Sequence, residues 1–402
     1  MIDWNIIVSQ IATVAFDIVY FGAIISTIVV IILDNRNPVK TMAWILILLF
    51  LPIVGLVFYF FFGRSQRRER IIGQKSYDRL LKKPMAEYLA QDCSAVPEEY
   101  ARLIQLFQHT NQAFPFEGNR IAVYTEGYTK LQSLLRELQK AKQHIHMEYY
   151  IFEDDAIGRL VRDVLIEKAS QGVEVRVIYD DVGCWHVPNR FFEEMRNAGI
   201  EVRSFLKVRF PLFTSRVNYR NHRKIVVVDG RIGFVGGMNL AERYMRGFSW
   251  GIWRDTHILI EGKAVHGLQT AFLLDWYFVD RTLITASRYF PKIESCGNSL
   301  VQVVTSEPIG PWKEIMQGLT MAINGAKKYF YMQTPYFLPT EQVLAAMQTA
   351  ALAGVDIRLM LPERADNRIT HLGSHSYLRD VLQAGVKVYF YKKGFLHSKL
   401  MV

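Results

Sequence analysis

The chain has 402 residues, 50% of them apolar and 21% charged, with a formal net charge of +10. Its three cysteines, Cys93, Cys184 and Cys296, fall in no paired spacing and give neither a disulfide framework nor a metal-binding signature. The positive balance calls for an anionic partner: nucleic acid, an acidic membrane or a phosphate-bearing substrate.

The N-terminus chooses among these. A first membrane span is expected from about Ile11 to Leu33. Only Ile18 to Leu33 is free of charge, about 24 Å of helix, so Asp17 is placed near the headgroups. Thr41 to Gly63 gives 23 residues without a charge and is expected to be a second span, in which Pro52 and Gly55 are tolerated. No basic segment precedes the apolar stretch, which argues against a cleaved signal peptide. Arg36 and Lys40 mark the loop between the spans. Arg64, Arg67, Arg68 and Arg70 form the denser cluster after them. The positive-inside rule then puts both termini and the domains after the spans in the cytoplasm, with these arginines against anionic headgroups.

Residues 64–115 read as a polar connector. Tyr128 to Lys142 has Leu131, Leu134, Leu135 and Leu138 on one side, as in an amphipathic helix. His144 to Phe152 alternates as a strand, Ile157 to Ser170 reads as helix, and Val173 to Tyr179 as strand. Asn189 to Asn197 reads as a helix capped by Gly199. Strands alternating with helices predict α/β units around a mixed sheet. Ile225 to Val228 is an apolar run suited to a strand buried on both faces. Asp229-Gly230 is a hairpin turn and Arg231 to Val235 the returning strand. His222 and Lys224 project together at the head of the first strand, because residues two apart share a face. Gly236-Gly237 follows, with a helix expected from near Asn239 and free N–H groups suited to phosphate.

A bare His-x-Lys pair arises by chance about once in such a composition. Here it recurs as His397 and Lys399, again at the head of an apolar run. Preceding segments recur in the same order: Ala141–Tyr150 matches Ala326–Pro335, Gly172–Arg176 matches Gly354–Arg358, and Ala198–Val202 matches Ala384–Val388. The copies lie between 175 and 186 residues apart, which predicts a duplicated domain. The expected division is a membrane anchor at 1–63, the connector, a first α/β domain at 116–290 and a second, incomplete one at 291–402.

With His222, Lys224, Asp229, Gly236, Gly237 and Asn239 in this spacing, the chain resembles the phospholipase D superfamily. Trp253-Arg254-Asp255-Thr256-His257 is similar to a segment of its lipid-synthesising members. The paired apolar spans with Asn37-Pro38 between them resemble the bacterial cardiolipin synthases. The resemblance implies two phospholipase D-like domains with mixed sheets flanked by helices, anchored in the bacterial inner membrane by a multi-pass segment. It implies catalytic roles for His222, Lys224, Asp229, His397 and Lys399, with His222 the more favoured nucleophile and the reverse assignment open. Gly236, Gly237 and Asn239 join the substrate site. Glu148 and Gln333 occupy matching strand positions. They read either as support for the histidines, as the resemblance implies, or as ordinary strand-end polar residues.

Two lysines facing one phosphodiester offset its charge, most of all in the transition state. One imidazole can attack phosphorus while the other serves as acid and then base. No metal or cofactor is called for. His144, His146, His257, His266, His371 and His375 lack metal-ligand spacing and read as structural or surface residues. The implied reaction joins two phosphatidylglycerol molecules into cardiolipin, with anionic phospholipids and the membrane as partners and no nucleic acid. The oligomeric state is left open. The alternatives are another membrane-bound phospholipase D with a different acceptor, or an inactive lipid-binding fragment. The last arises because the family pattern would place an Asp at position 404, beyond Val402. On that reading the strand bearing His397 frays and the 402-residue chain is inactive by itself.

Overall fold

The computed structural model describes residues 4–34, 38–59, 96–207, 220–306 and 312–402. Contacts divide these into two units, one holding the described residues up to 59 and the other those from 96 onward. Arg36, the Arg64–Arg70 cluster, residues 60–63 of the expected second span and most of the connector lie outside the described residues.

In the first unit Trp4–Asp34 is a single helix. Its segment Gln10–Leu33 is long and apolar enough to cross a membrane. The second apolar stretch is not one helix. Pro38–Phe50 stops after 13 residues, and a separate 7-residue helix, Pro52–Phe58, follows Leu51 at φ −135° and ψ 64°. Proline has no N–H to give and disfavours helical backbone in the residue before it, so the ladder breaks at Leu51-Pro52. The second helix folds back along the first. A Cβ on Gly55 would stand 3.1 Å from Leu48 Cα, and the Tyr59 and Trp44 rings meet at 5.4 Å. Thirteen helical residues span about 20 Å, short of the roughly 30 Å hydrocarbon core.

The second unit is α/β. Its strands are β1 (Pro115–Tyr124), β2 (His144–Tyr149), β3 (Glu174–Asp180), β4 (Glu201–Phe205), β5 (Lys224–Val228), β6 (Ile232–Gly236), β7 (Ile252–Arg254), β8 (His257–Glu261), β9 (Ser299–Gln302), β10 (Tyr329–Gln333), β11 (Asp356–Pro362), β12 (Lys387–Tyr391), β13 (Gly394–Leu396) and β14 (Leu400–Met401). An eight-stranded sheet runs β4-β3-β2-β5-β6-β8-β1-β9, and a four-stranded sheet runs β12-β11-β10-β14. Because β9 pairs with β1, the first sheet reaches residue 302, past the expected boundary at 290.

Alternation along β5 explains its double burial. Val226 and Val228 join the core beneath helices Gly127–Lys140, Ala156–Ser170 and Asn189–Asn197, while Ile225 and Val227 pack toward helix Val265–Asp280. The duplication is visible strand by strand. β2, β3 and β4 are parallel with β5 antiparallel to β2, and β10, β11, β12 and β14 repeat that pattern. Glu148 pairs with Ile225 and Gln333 with Leu400, the same step beyond each lysine. Gly199 and Gly385 end corresponding helices at φ 86° and 94°.

The strand after His397 is paired rather than frayed. β14 lies antiparallel to β10, and Tyr331 and Val402 exchange hydrogen bonds of 2.8 and 2.9 Å.

Candidate active site

The two His-x-Lys motifs face one cavity of about 440 Å³, lined by His222, Lys224, Gly236, Gly237, Asp255, Thr256, His257 and Lys399 among others. In both motifs the lysine returns to the backbone carbonyl of its own histidine. Each lysine folds back on its own histidine: Lys224 Nζ donates to the His222 carbonyl at 2.6 Å and approaches its Nδ1 at 3.2 Å. Lys399 Nζ donates to the His397 carbonyl at 2.8 Å and lies 2.9 Å from Nε2. A short strand follows each histidine, β5 from Lys224 and β14 from Leu400.

Their surroundings differ. The Tyr150 ring sits 4.5 Å from the His222 ring, which opens to the cavity mouth. Desolvation by the surrounding protein, then Lys224, Lys399 and His397, push this imidazole down to about 3, so it is neutral with a free lone pair. His397 is buried and meets Asp255 Oδ2 through Nδ1 at 2.7 Å. A carboxylate accepts, so Nδ1 donates to Asp255, and Lys399 Nζ lies beside the ring, 3.0 Å from Nδ1 and 2.9 Å from Nε2. The His397 pKa is lowered, chiefly by burial, and Asp255 offsets part of that fall. Lys224 is brought down to about 7 by burial and Lys399, and Lys399 to about 8 chiefly by burial.

The seam between the repeats is built by Trp253–His257. β7 pairs in parallel with β13, and the His397 N–H donates to the Arg254 carbonyl at 2.7 Å. Trp253 packs on Phe395 and His397 at 5.1 and 5.2 Å. The Arg254 guanidinium donates to Ser398 Oγ at 3.1 Å, and Thr256 Oγ1 shares a 3.0 Å bond with the same hydroxyl. Asp255 and His257 thus enter the site although neither was singled out as a functional residue in the sequence. The available signal was their spacing of two residues along one extended segment.

Gly236 and Gly237 act by clearance. A Cβ on Gly237 would fall 2.0 Å from Asp255 Oδ1. The Gly237 N–H donates to the Thr256 carbonyl at 2.9 Å, so it is not free for phosphate. No helix starts at Asn239; the next is the short Arg243–Arg246. The buried Asn239 amide accepts from Ile151 N–H at 3.0 Å and donates to Tyr244 OH at 2.5 Å, which fixes the chain after Tyr150. It braces the wall of the site and does not line the cavity.

Asp229 does not reach the reacting groups. It stands at the far end of β5, on the order of 20 Å along an extended strand from His222. Its carboxylate accepts from the N–H groups of Lys142, Gln143 and His144 at 2.8–2.9 Å. Its φ of 51°, beside Gly230 at 65°, makes the expected turn. Glu148 is buried on the other face with Asp275, Asn221 and Arg223, and burial, then Asp275, raise its pKa well above the carboxylate range. Asn221 and Arg223 both bond Asp275, so this cluster grips the residues on either side of His222. Asp180 adds a second hold, accepting from Asn221 N–H at 3.1 Å. Gln333 takes the matching place in the second repeat, half-buried on β10.

A family model described as "Cardiolipin synthase, PLD-like domain" matches residues 134–275 and 319–402, and one described as "Phospholipase_D-nuclease N-terminal" matches 22–64. The chain is 41% identical over 393 residues to a cardiolipin synthase of Geobacillus kaustophilus, covering 96% of this chain and 78% of that one. It is 36% identical over 405 residues to the major cardiolipin synthase ClsA of Bacillus subtilis, covering 98% and 84%. The fold is similar to phosphatidylserine synthase of Haemophilus influenzae, with a TM-score of 0.53 at 14% identity over 75% of this chain and 80% of that one. The chain belongs to the cardiolipin synthase family of phospholipase D-like proteins.

Proposed function

We propose that this chain transfers a phosphatidyl group from one phosphatidylglycerol to the hydroxyl of another, giving cardiolipin and glycerol. The observation that carries the reading is the meeting of two His–Lys motifs, in unequal electrostatic settings, on one cavity. His222, neutral and open to the cavity, attacks phosphorus as the P–O bond to glycerol breaks. His397, whose imidazolium Asp255 stabilises, gives its Nε2 proton to the leaving alkoxide. The resulting neutral His397 then takes the proton of the incoming hydroxyl as that oxygen displaces His222. Lys224 and Lys399 balance the charge on the phosphoryl oxygens.

The test is a reaction of labelled phosphatidylglycerol in vesicles, quenched without acid. An acid-labile phosphate on histidine is expected, absent in His222→Ala and slow to turn over in His397→Ala. An adduct kept by His222→Ala and lost by His397→Ala would reverse the roles. Release of phosphatidic acid without cardiolipin would make the chain a hydrolase.

For the membrane segment, Gln10–Leu33 makes one crossing and the Pro38–Phe58 hairpin dips into the bilayer and returns to the same face. Arg36 and Lys40 then share the cytoplasmic side with Arg64, Arg67, Arg68 and Arg70, as the positive-inside rule favours.

A further inference from the structure

One polar side chain in the cavity is left over from this mechanism. His257 heads β8, directly opposite Gly236 on β6. It is 1% exposed and lines the cavity, yet neither ring nitrogen has a hydrogen-bond partner among the described residues. An unpaired buried polar group is costly, so its retention at a cavity wall points to a ligand. Gly236 makes the room. A Cβ there would stand 2.5 Å from His257 Cα and 2.7 Å from Nδ1, filling the space above the glycine. Lys224 sits on the neighbouring strand at the same level, one residue before Ile225, which pairs with Val235. The recess therefore opens between Lys224, where the phosphate is held, and His257.

We propose that this recess is a subsite for the glycerol headgroup, in which the His257 imidazole hydrogen-bonds a hydroxyl of a neutral vicinal diol. The inference rests on the synthase reading of the same cavity. A neutral imidazole offers one donor and one acceptor, the match for a hydroxyl. Burial, then Lys130 and Lys224, hold His257 well below its ordinary pKa, so it stays neutral. Lys130 is itself wholly buried and donates to Tyr149 OH at 2.8 Å. A cavity lined by Lys224 and Lys399 repels an ammonium, which disfavours ethanolamine and choline headgroups and leaves an uncharged polyol as the fitting class.

The experiment compares glycerol with 1-propanol, which has the same carbon count and one hydroxyl, as competing acceptors for the full chain in phosphatidylglycerol vesicles. Incorporation of labelled glycerol is read against phosphatidylpropanol formed at equal concentration. The wild type should favour glycerol about tenfold or more, because a site built to bond a hydroxyl rejects the analogue lacking it. His257→Phe, which keeps bulk and loses both nitrogens, should bring the ratio close to one. His257→Gln, which keeps a donor and an acceptor, should hold most of the preference. A wild-type ratio near one overturns the proposal, as does a Phe variant with the wild-type ratio. If the Phe variant is inert, a Gln variant without preference overturns it and one with preference supports it. A wild type that yields phosphatidic acid and no cardiolipin fails the synthase reading, while competition between the two alcohols still reads the subsite.

Discussion

At the residue scale the two motifs are alike inside and unlike outside. The spacing of His and Lys made His222, Lys224, His397 and Lys399 legible in sequence, because each pair needs only one extended segment to align. Asp255 and His257 were not legible in that way. Their place depends on β8 lying beside β6 and on β13 arriving from far along the chain to pair with β7. Asp255 is a positioning residue: it fixes the His397 tautomer and favours its protonated form. Asp255→Asn should lower kcat by roughly 10²–10⁴, as for other carboxylates that orient a catalytic histidine. The pH profile distinguishes this from mere damage. Asp255 raises the His397 pKa, so its loss lets that pKa fall and the acid form disappears at lower pH. The alkaline limb of kcat should therefore move to lower pH in Asp255→Asn. An unshifted limb would confine Asp255 to a structural part.

At the scale of elements, the strands and the glycine-capped helices followed from periodicity, and departures came where one residue outweighed the pattern. Pro52 split an apolar run that length alone read as a span. Asn239 spent its amide on Ile151 and Tyr244, where sequence suggested a helix start. Asp229 ties the β5–β6 turn to the first residues of β2. Asp229→Ala leaves three backbone N–H groups without their acceptor, a cost of about 1–3 kcal/mol. The expected result is a lower melting midpoint for the detergent-solubilised protein with an unchanged phosphohistidine yield per folded molecule. Loss of the adduct at full stability would return Asp229 to the chemistry.

At the scale of the molecule, the duplication was readable because segment order survived along the chain. The boundary was not, since β9 reaches back to an edge of the first sheet by pairing rather than by any local signal. Topology is open to direct measurement. With one crossing and a returning hairpin, single cysteines at Asn37 and Gln74 in a chain freed of its own cysteines are both shielded from an impermeant thiol reagent outside the cell, and one at Ile2 is labelled. Two full spans would give the opposite result at Asn37 and Ile2.

The seam of β7 and β13 carries a thermodynamic corollary. Lys224 and Lys399 both line the cavity beside it, and Lys399 depresses the proton affinity of Lys224. An anion between them removes that repulsion. Linkage then requires that whatever factor repeat docking adds to anion affinity, the anion returns to docking. The halves are held together most firmly when the cavity is loaded with an anion.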